Sequence, residues 1–163
     1  MKRLLLIIAV AAAALTAAGA GLIATSSAAV SNPAPHTTTL RYTIRFSPFY
    51  LLDLGKKGPS LGDQTIFHDT LVNAKGAVVG HDGLVCTFTN PAVPEASCQG
   101  VAKLPDGQLT FQFLNSPPPR KTAAITGGTG RYQDVRGQLV IVESAKDQTG
   151  TYTFTLTTGT TGR

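Results

Sequence analysis

Two His-Asp dipeptides, His68-Asp69 and His81-Asp82, are the residues of this 163-residue chain best suited to acid–base or metal chemistry. An imidazole beside a carboxylate can move a proton, and such side chains are also ordinary zinc ligands. The dipeptides fall on different segments, and His81-Asp82-Gly83 reads as a turn or bulge, so no metal site is assigned. Asp69 stands apart. It lies within Ile66-Phe67-His68-Asp69-Thr70-Leu71, on the strand face it shares with Phe67 and Leu71. A carboxylate pointing where those side chains point is partly desolvated, which raises its pKa and prepares it as a base. The competing reading is an acceptor that braces neighbouring strands through hydrogen bonds. A third candidate, Thr126-Gly127-Gly128-Thr129-Gly130, has the glycine density of a phosphate loop. It lacks the Lys-Ser/Thr ending, and no helical pattern follows, so it is read as a glycine-rich strand connection.

The elements that must position these groups are strands. Leu40, Tyr42, Ile44 and Phe46 alternate with Thr39, Arg41, Thr43 and Arg45. Leu109, Phe111 and Phe113 alternate with Thr110 and Gln112, and Tyr152, Phe154 and Leu156 with Thr151, Thr153, Thr155 and Thr157. A period of two is the signature of a half-buried strand. Segments 65–72, 77–89, 97–104 and 138–143 are more apolar on both faces, and a short strand is expected around 123–125. Turn chemistry separates them: Asn73-Ala74-Lys75-Gly76, Asn90-Pro91, Pro105-Asp106-Gly107, Ser116-Pro117-Pro118-Pro119 and the stretch 146–150. About eight strands joined by short turns make an all-β domain, either a closed barrel or a sandwich.

The two cysteines, Cys86 and Cys98, fix one hairpin. If the loop is centred on Ala92, residues 86 and 98 stand directly opposite each other. At that separation a disulfide closes without moving the backbone.

The chain begins with a positive Lys2-Arg3, an apolar run from Leu4 to Ala14, and small residues at Ala18-Gly19-Ala20 and Ser27-Ala28-Ala29. This is the pattern of a Sec-type signal peptide, too short to span a bilayer comfortably. The expected organisation is a signal peptide over 1–29, a disordered leader over 30–37, a domain over 38–158 and a disordered tail over 159–163. Cleavage after Ala29 leaves 134 residues, enough for one domain with its own core. It removes two of the 14 basic residues, leaving 12 against 9 acidic ones. That small excess is spread along the chain and no aromatic stripe accompanies it, so nucleic acid is not an expected partner. Export places the cysteines in an oxidising compartment, and no stable membrane insertion is expected after cleavage.

Several segments together resemble a known family. Leu61-Gly62-Asp63-Gln64-Thr65-Ile66-Phe67-His68-Asp69-Thr70-Leu71 is similar to a Gly-Asp…Phe-x-Asn-x-Leu segment of plant allene oxide cyclases. Gly80 to Cys86 is similar to the Gly-x-x-x-Gly-Leu-Cys stretch that follows it there, and Ala124 to Tyr132 with Gly137-Gln138-Leu139 to their most diagnostic motif. The Gly-Gly-Thr-Gly-x-aromatic stretch also marks plant dirigent proteins. The resemblance runs from about Thr38 to Leu156 and implies an eight-stranded antiparallel β-barrel around an apolar pocket, often trimeric and needing no cofactor.

By the same resemblance, Asp69 takes the place of the cyclases' polar Asn and of a dirigent Asp. Thr43 stands where the cyclases carry a functional Glu, Arg45 where they carry an Asn, and Lys121 close to a dirigent Arg. Gly127, Gly128 and Gly130 supply a tight turn, and Gly137 the bend that closes a barrel corner. The alignment points Thr43 and Arg45 into the lumen, whereas the alternation buries Leu40, Tyr42, Ile44 and Phe46. Both hold if the apolar face of that strand packs between subunits.

The expectation is a secreted barrel that acts as a cofactor-free cyclase or isomerase on a small hydrophobic compound, assembled as a homotrimer. Asp69 is the expected base, with Arg45 or Lys121 stabilising negative charge. Thr43, Phe67, Leu71, Phe111 and Tyr132 line the ligand. The alternatives are an extracellular binding or carrier module for an apolar ligand, and an interaction protein whose lumen is filled.

Overall fold

A computed structural model describes residues 35–158 apart from 91, 118 and 145. The expected signal peptide, most of the leader and the tail lie outside the described residues. Ten strands form: β1 (His36–Arg45), β2 (Tyr50–Leu52), β3 (Gln64–Phe67), β4 (Thr70–Val72), β5 (Val78–Asn90), β6 (Glu95–Leu104), β7 (Gly107–Asn115), β8 (Arg120–Gly128), β9 (Val135–Ser144) and β10 (Thr149–Thr158), with a 3₁₀ turn at Gly130–Tyr132. Strand β1 begins at His36, two residues inside the stretch read as leader.

The sheet closes on itself. Strands β5 to β10 pair in succession, β10 pairs with β1, β1 with β4, and β4 with β5, all antiparallel. Strands β3 and β4 share one register against β5, since Phe67 faces Leu84 and Thr70 faces His81. They form one stave interrupted at His68-Asp69, so the barrel has the eight staves expected. Strand β2 is an addition, paired to β3 at Tyr50↔Ile66. Among the described residues no helix is long and apolar enough to cross a membrane.

Alternation decides what fills the barrel. Along β6, Ala96, Cys98, Gly100, Ala102 and Leu104 are buried while the residues between them are half-buried or exposed. Along β10, Tyr152, Phe154 and Leu156 point in and the threonines line the outer side. The same rule settles the conflict on β1. Ile44 is 1% exposed within the core, with Leu40, Tyr42 and Phe46 packed against it. Thr43 and Arg45 are therefore on the outside, where both are exposed. The alignment-based orientation is overturned, because successive side chains of a strand face opposite ways. It takes with it the arrangement in which the Tyr42–Ile44 face packs between subunits.

Cys86 and Cys98 are opposite each other and joined by a disulfide, and Thr87 faces Ser97 in the same register. The glycine motif ends β8 and leads into the 3₁₀ turn, whose Tyr132 plugs that end of the barrel. Gly130 has φ 61° and a Cβ there would lie 2.4 Å from Asp106 O. Gly137 has φ 147° and a Cβ would lie 1.9 Å from Thr155 O, so the chain bends where only glycine fits. A Cβ at Gly128 would meet Tyr132 O at 2.3 Å, whereas at Gly127 it would meet only Thr110 Oγ1 at 3.4 Å.

Candidate functional site

At the other end of the barrel, where β1, β7 and β9 finish and β8 and β10 begin, the lumen opens into a cavity of about 240 Å³. Its walls are aromatic: Phe46, Phe49, Phe67, Phe113 and the ring of Tyr152. Its polar groups are Ser47, Asp69, Asn115, Glu143 and Gln148. Phe49 and Phe67 lie 5.8 Å apart at their ring centres, and Phe111, beneath the cavity, meets Tyr152 edge to face at 6.0 Å.

Asp69 sits in that wall because Phe67, Asp69 and Leu71 occupy one face of the β3–β4 stave. The shared register sets Asp69 directly opposite Asp82, and both carboxylates are buried, at 6% and 0% exposure. The Asp82 N–H donates to Asp69 O at 2.9 Å, as a ladder requires. The Asp69 N–H turns instead to Asp82 Oδ1 at 2.9 Å. This side-chain substitution is what interrupts the stave. Asp82 Oδ2 accepts from the Tyr152 hydroxyl at 2.6 Å, and Asp69 Oδ1 from the Ser47 N–H at 2.7 Å.

Burial sets the electrostatics. It pushes the Asp69 carboxyl up to about 6, the Ser47 N–H opposes the rise, and the Asp82 and Glu143 charges add to it. Burial also raises Asp82, against the Tyr152 hydroxyl and the Asp69 N–H. Tyr152 is raised well above the usual phenol range by burial and by the adjacent Asp82. Two carboxylates facing each other across a ladder are mutually unfavourable, and here donors hold Asp82 while Asp69 faces the cavity.

The expected site residues divide. Asp69 and Phe67 line the cavity. Lys121 reaches it through an ion pair with Glu143. Leu71 is fully buried in the core, as is Phe111 beneath the cavity. Tyr132 is at the far end of the barrel, plugging it. Thr43 and Arg45 are outside, so Arg45 cannot act on a ligand in the lumen.

His81-Asp82-Gly83 is no turn: it runs through the middle of the 13-residue β5, with Asp82 inward and His81 outward. His81 stacks on His68 at 4.9 Å. Among the described residues no three potential ligands gather as a metal site would need.

Glu143 and Tyr152 are the functional candidates that sequence reasoning passed over, and Asp82 is one it set aside as part of a turn, although each carried a signal. Counting back by two from Cys86 and Leu84 gives Asp82, and forward by two from Leu139 and Ile141 gives Glu143. Tyr152 was on the apolar face from the start. Gly58-Pro59-Ser60-Leu61-Gly62 has the Gly-x-Ser-x-Gly spacing of a hydrolase nucleophile. It lies in the loop between β2 and β3, where that chemistry needs a strand-to-helix elbow. There the Ser60 hydroxyl donates to Asp63, whose carboxylate also accepts the Leu54 and Ser60 N–H groups. Those backbone donors, Leu54 first, hold the Asp63 pKa down and pin the loop.

Comparison with known proteins gives the same architecture. Residues 51–157 match the family described as "Allene oxide cyclase barrel like domain". No curated protein matches the chain. Among solved structures, a pyocyanin demethylase is 33% identical, with 73% of this chain and 99% of that one covered at a TM-score of 0.64. A pterocarpan synthase dirigent protein is 15% identical, with 77% and 89% covered and a TM-score of 0.62. A Diels-Alderase from Streptomyces koyangensis is 13% identical, with 80% and 72% covered and a TM-score of 0.59. The last two are likenesses of fold.

Proposed function

The chain belongs to the allene oxide cyclase barrel-like family, and from that premise we propose that it binds a small hydrophobic compound in its lumen and catalyses a cofactor-free cyclisation or isomerisation, with Asp69 moving the proton. The observation that carries this is a buried carboxylate facing an aromatic cavity with its pKa held near 6. Such a group is mostly ionised at neutral pH yet basic enough to accept a proton from a weakly acidic ligand, where an ordinary Asp is not. Asp82, held by Tyr152 and the Asp69 N–H, keeps the base in place. Rigid aromatic walls favour a single reactive conformer of a flexible substrate, so shape adds to the rate. The relative named as a demethylase acts on a small molecule by its name, which supports the class of ligand.

Export through the N-terminal segment and assembly as a homotrimer belong to the same proposal. The disulfide supports an oxidising compartment. With the Tyr42 face turned inward, the surface available for assembly is the exposed apolar strip of Phe49, Tyr50, Leu51, Leu52 and Leu54 with nearby Leu61.

One observation favours the binding-module reading. Arg45 is outside and Lys121 is committed to Glu143, so among the described residues no Lys or Arg lines the cavity beside Asp69. Small aromatic compounds that raise the melting temperature should be incubated with the protein and their products analysed. In Asp69→Asn, turnover of a converted compound should fall by about 10²-fold, the usual contribution of a positioned base, with KM little changed. Full turnover in that variant overturns the enzyme reading, and affinity without conversion by the native protein leaves a carrier.

A further inference from the structure

The outer face of β1, β10, β9 and β8 carries threonines with arginines set among them. In register across the first two strands stand Thr39 and Thr155, Arg41 and Thr153, Thr43 and Thr151, and Arg45 and Thr149. Beyond Thr151 the same row continues to Val142 and then to Arg120. Arg41, Arg45 and Arg120 are exposed, and among the described residues none of them makes an ion pair or a hydrogen bond. The one acidic residue on these four strands, Glu143, lines the lumen and holds Lys121. Asp147, in the turn from β9 to β10, accepts the Ser144 hydroxyl. The face therefore has positive charge and nothing of its own to neutralise it. Arg41 and Arg45, four residues apart on one strand, stand about 13 Å from each other, and three strand spacings of about 14 Å separate them from the β8 column of Arg120.

Independently of what fills the lumen, we infer that this face binds an acidic polysaccharide, a chain that repeats carboxylates and hydroxyls. A planar guanidinium takes a carboxylate on two parallel N–H donors, and a threonine hydroxyl both donates to and accepts from a sugar hydroxyl. One exposed ion pair is worth little, so the three arginines act through a polymer that engages them together. No Phe or Tyr ring points outward from these strands, because Tyr42, Phe46, Tyr152 and Phe154 all turn inward. A nucleic acid would therefore find charge here but no ring on which to stack a base.

The test titrates the purified native protein by calorimetry at about pH 7 with polygalacturonate, with dextran as the uncharged chain, and with a DNA duplex at matched charge. Polygalacturonate should bind and dextran should not. Affinity should fall between about 50 and 200 mM salt, as contacts between charges do, and stay measurable at about 150 mM. Arg41→Gln with Arg45→Gln should weaken binding at least about tenfold. Should that double variant fail to fold, Arg120→Gln on its separate strand decides, with an expected loss of about threefold. Lys56→Gln with Lys57→Gln removes the same charge from the loop between β2 and β3 and should leave affinity within about twofold. Binding of dextran, equally tight binding of DNA, an equal loss in the lysine variant, or no binding of polygalacturonate at about 150 mM salt overturns the inference. None of those results bears on the reading of the lumen.

Discussion

Replacing Asp69 with Asn should make the protein more stable at neutral pH, and the gain should disappear in acid. Burial holds the Asp69 carboxyl at about 6 in the folded chain against 3.8 in the unfolded one. Between those values the native state binds more protons, so stability falls as pH rises and the full cost is present above about pH 6. A shift of a little over two units, at about 1.4 kcal/mol each, sets an upper bound of about 3 kcal/mol. Asparagine keeps an oxygen to accept the Ser47 N–H and removes the charge. The expected gain is therefore about 1–3 kcal/mol, or roughly 3–10 °C for a domain of this size. Circular dichroism melts at intervals from about pH 3.5 to 8 read it directly. The two proteins should coincide at the acid end, below the unfolded pKa, and separate progressively toward neutrality. A variant destabilised by the same amount at every pH would refute the argument and show Asp69 to be an acceptor bracing β3–β4 against its neighbours.

Non-reducing intact-mass analysis of exported protein should give a chain beginning at Val30 that lacks two hydrogen atoms for the Cys86–Cys98 bond. Reduction should then cost about 3 kcal/mol in a melt, given the short loop that the bond closes, and two free thiols in unreduced material would contradict the hairpin. Sedimentation at micromolar concentration should show a trimer, and Leu51→Glu, a charge in the exposed β2 strip, should dissociate it without lowering the melting temperature of the barrel. A monomeric native protein, or a trimer indifferent to Leu51→Glu, would locate assembly elsewhere or exclude it.

Local rules written in the sequence carried most of the barrel. Alternation along 39–46, 109–113 and 151–157 gave both the strands and the faces they bury, and on β1 it was right where the alignment was not, because a strand cannot turn two neighbouring side chains the same way. The cysteine spacing set the β5–β6 register without any knowledge of the sheet. Asp69 was recognisable for the same reason, as a charge on an apolar face. What the chain could not state is which remote positions share a wall.

His81-Asp82-Gly83 has turn composition, and only its place in a strand paired on both sides makes it extended and turns Asp82 inward. The Asp69–Asp82 opposition, the Tyr152 hydroxyl 70 residues further along, and the Lys121–Glu143 pair are all products of closing the sheet. So is the end of the barrel at which each residue lies, which divides Phe67 at the mouth from Tyr132 at the plug. Strand faces follow from the neighbouring residues, whereas a site built from several staves depends on register and closure, which no single segment contains.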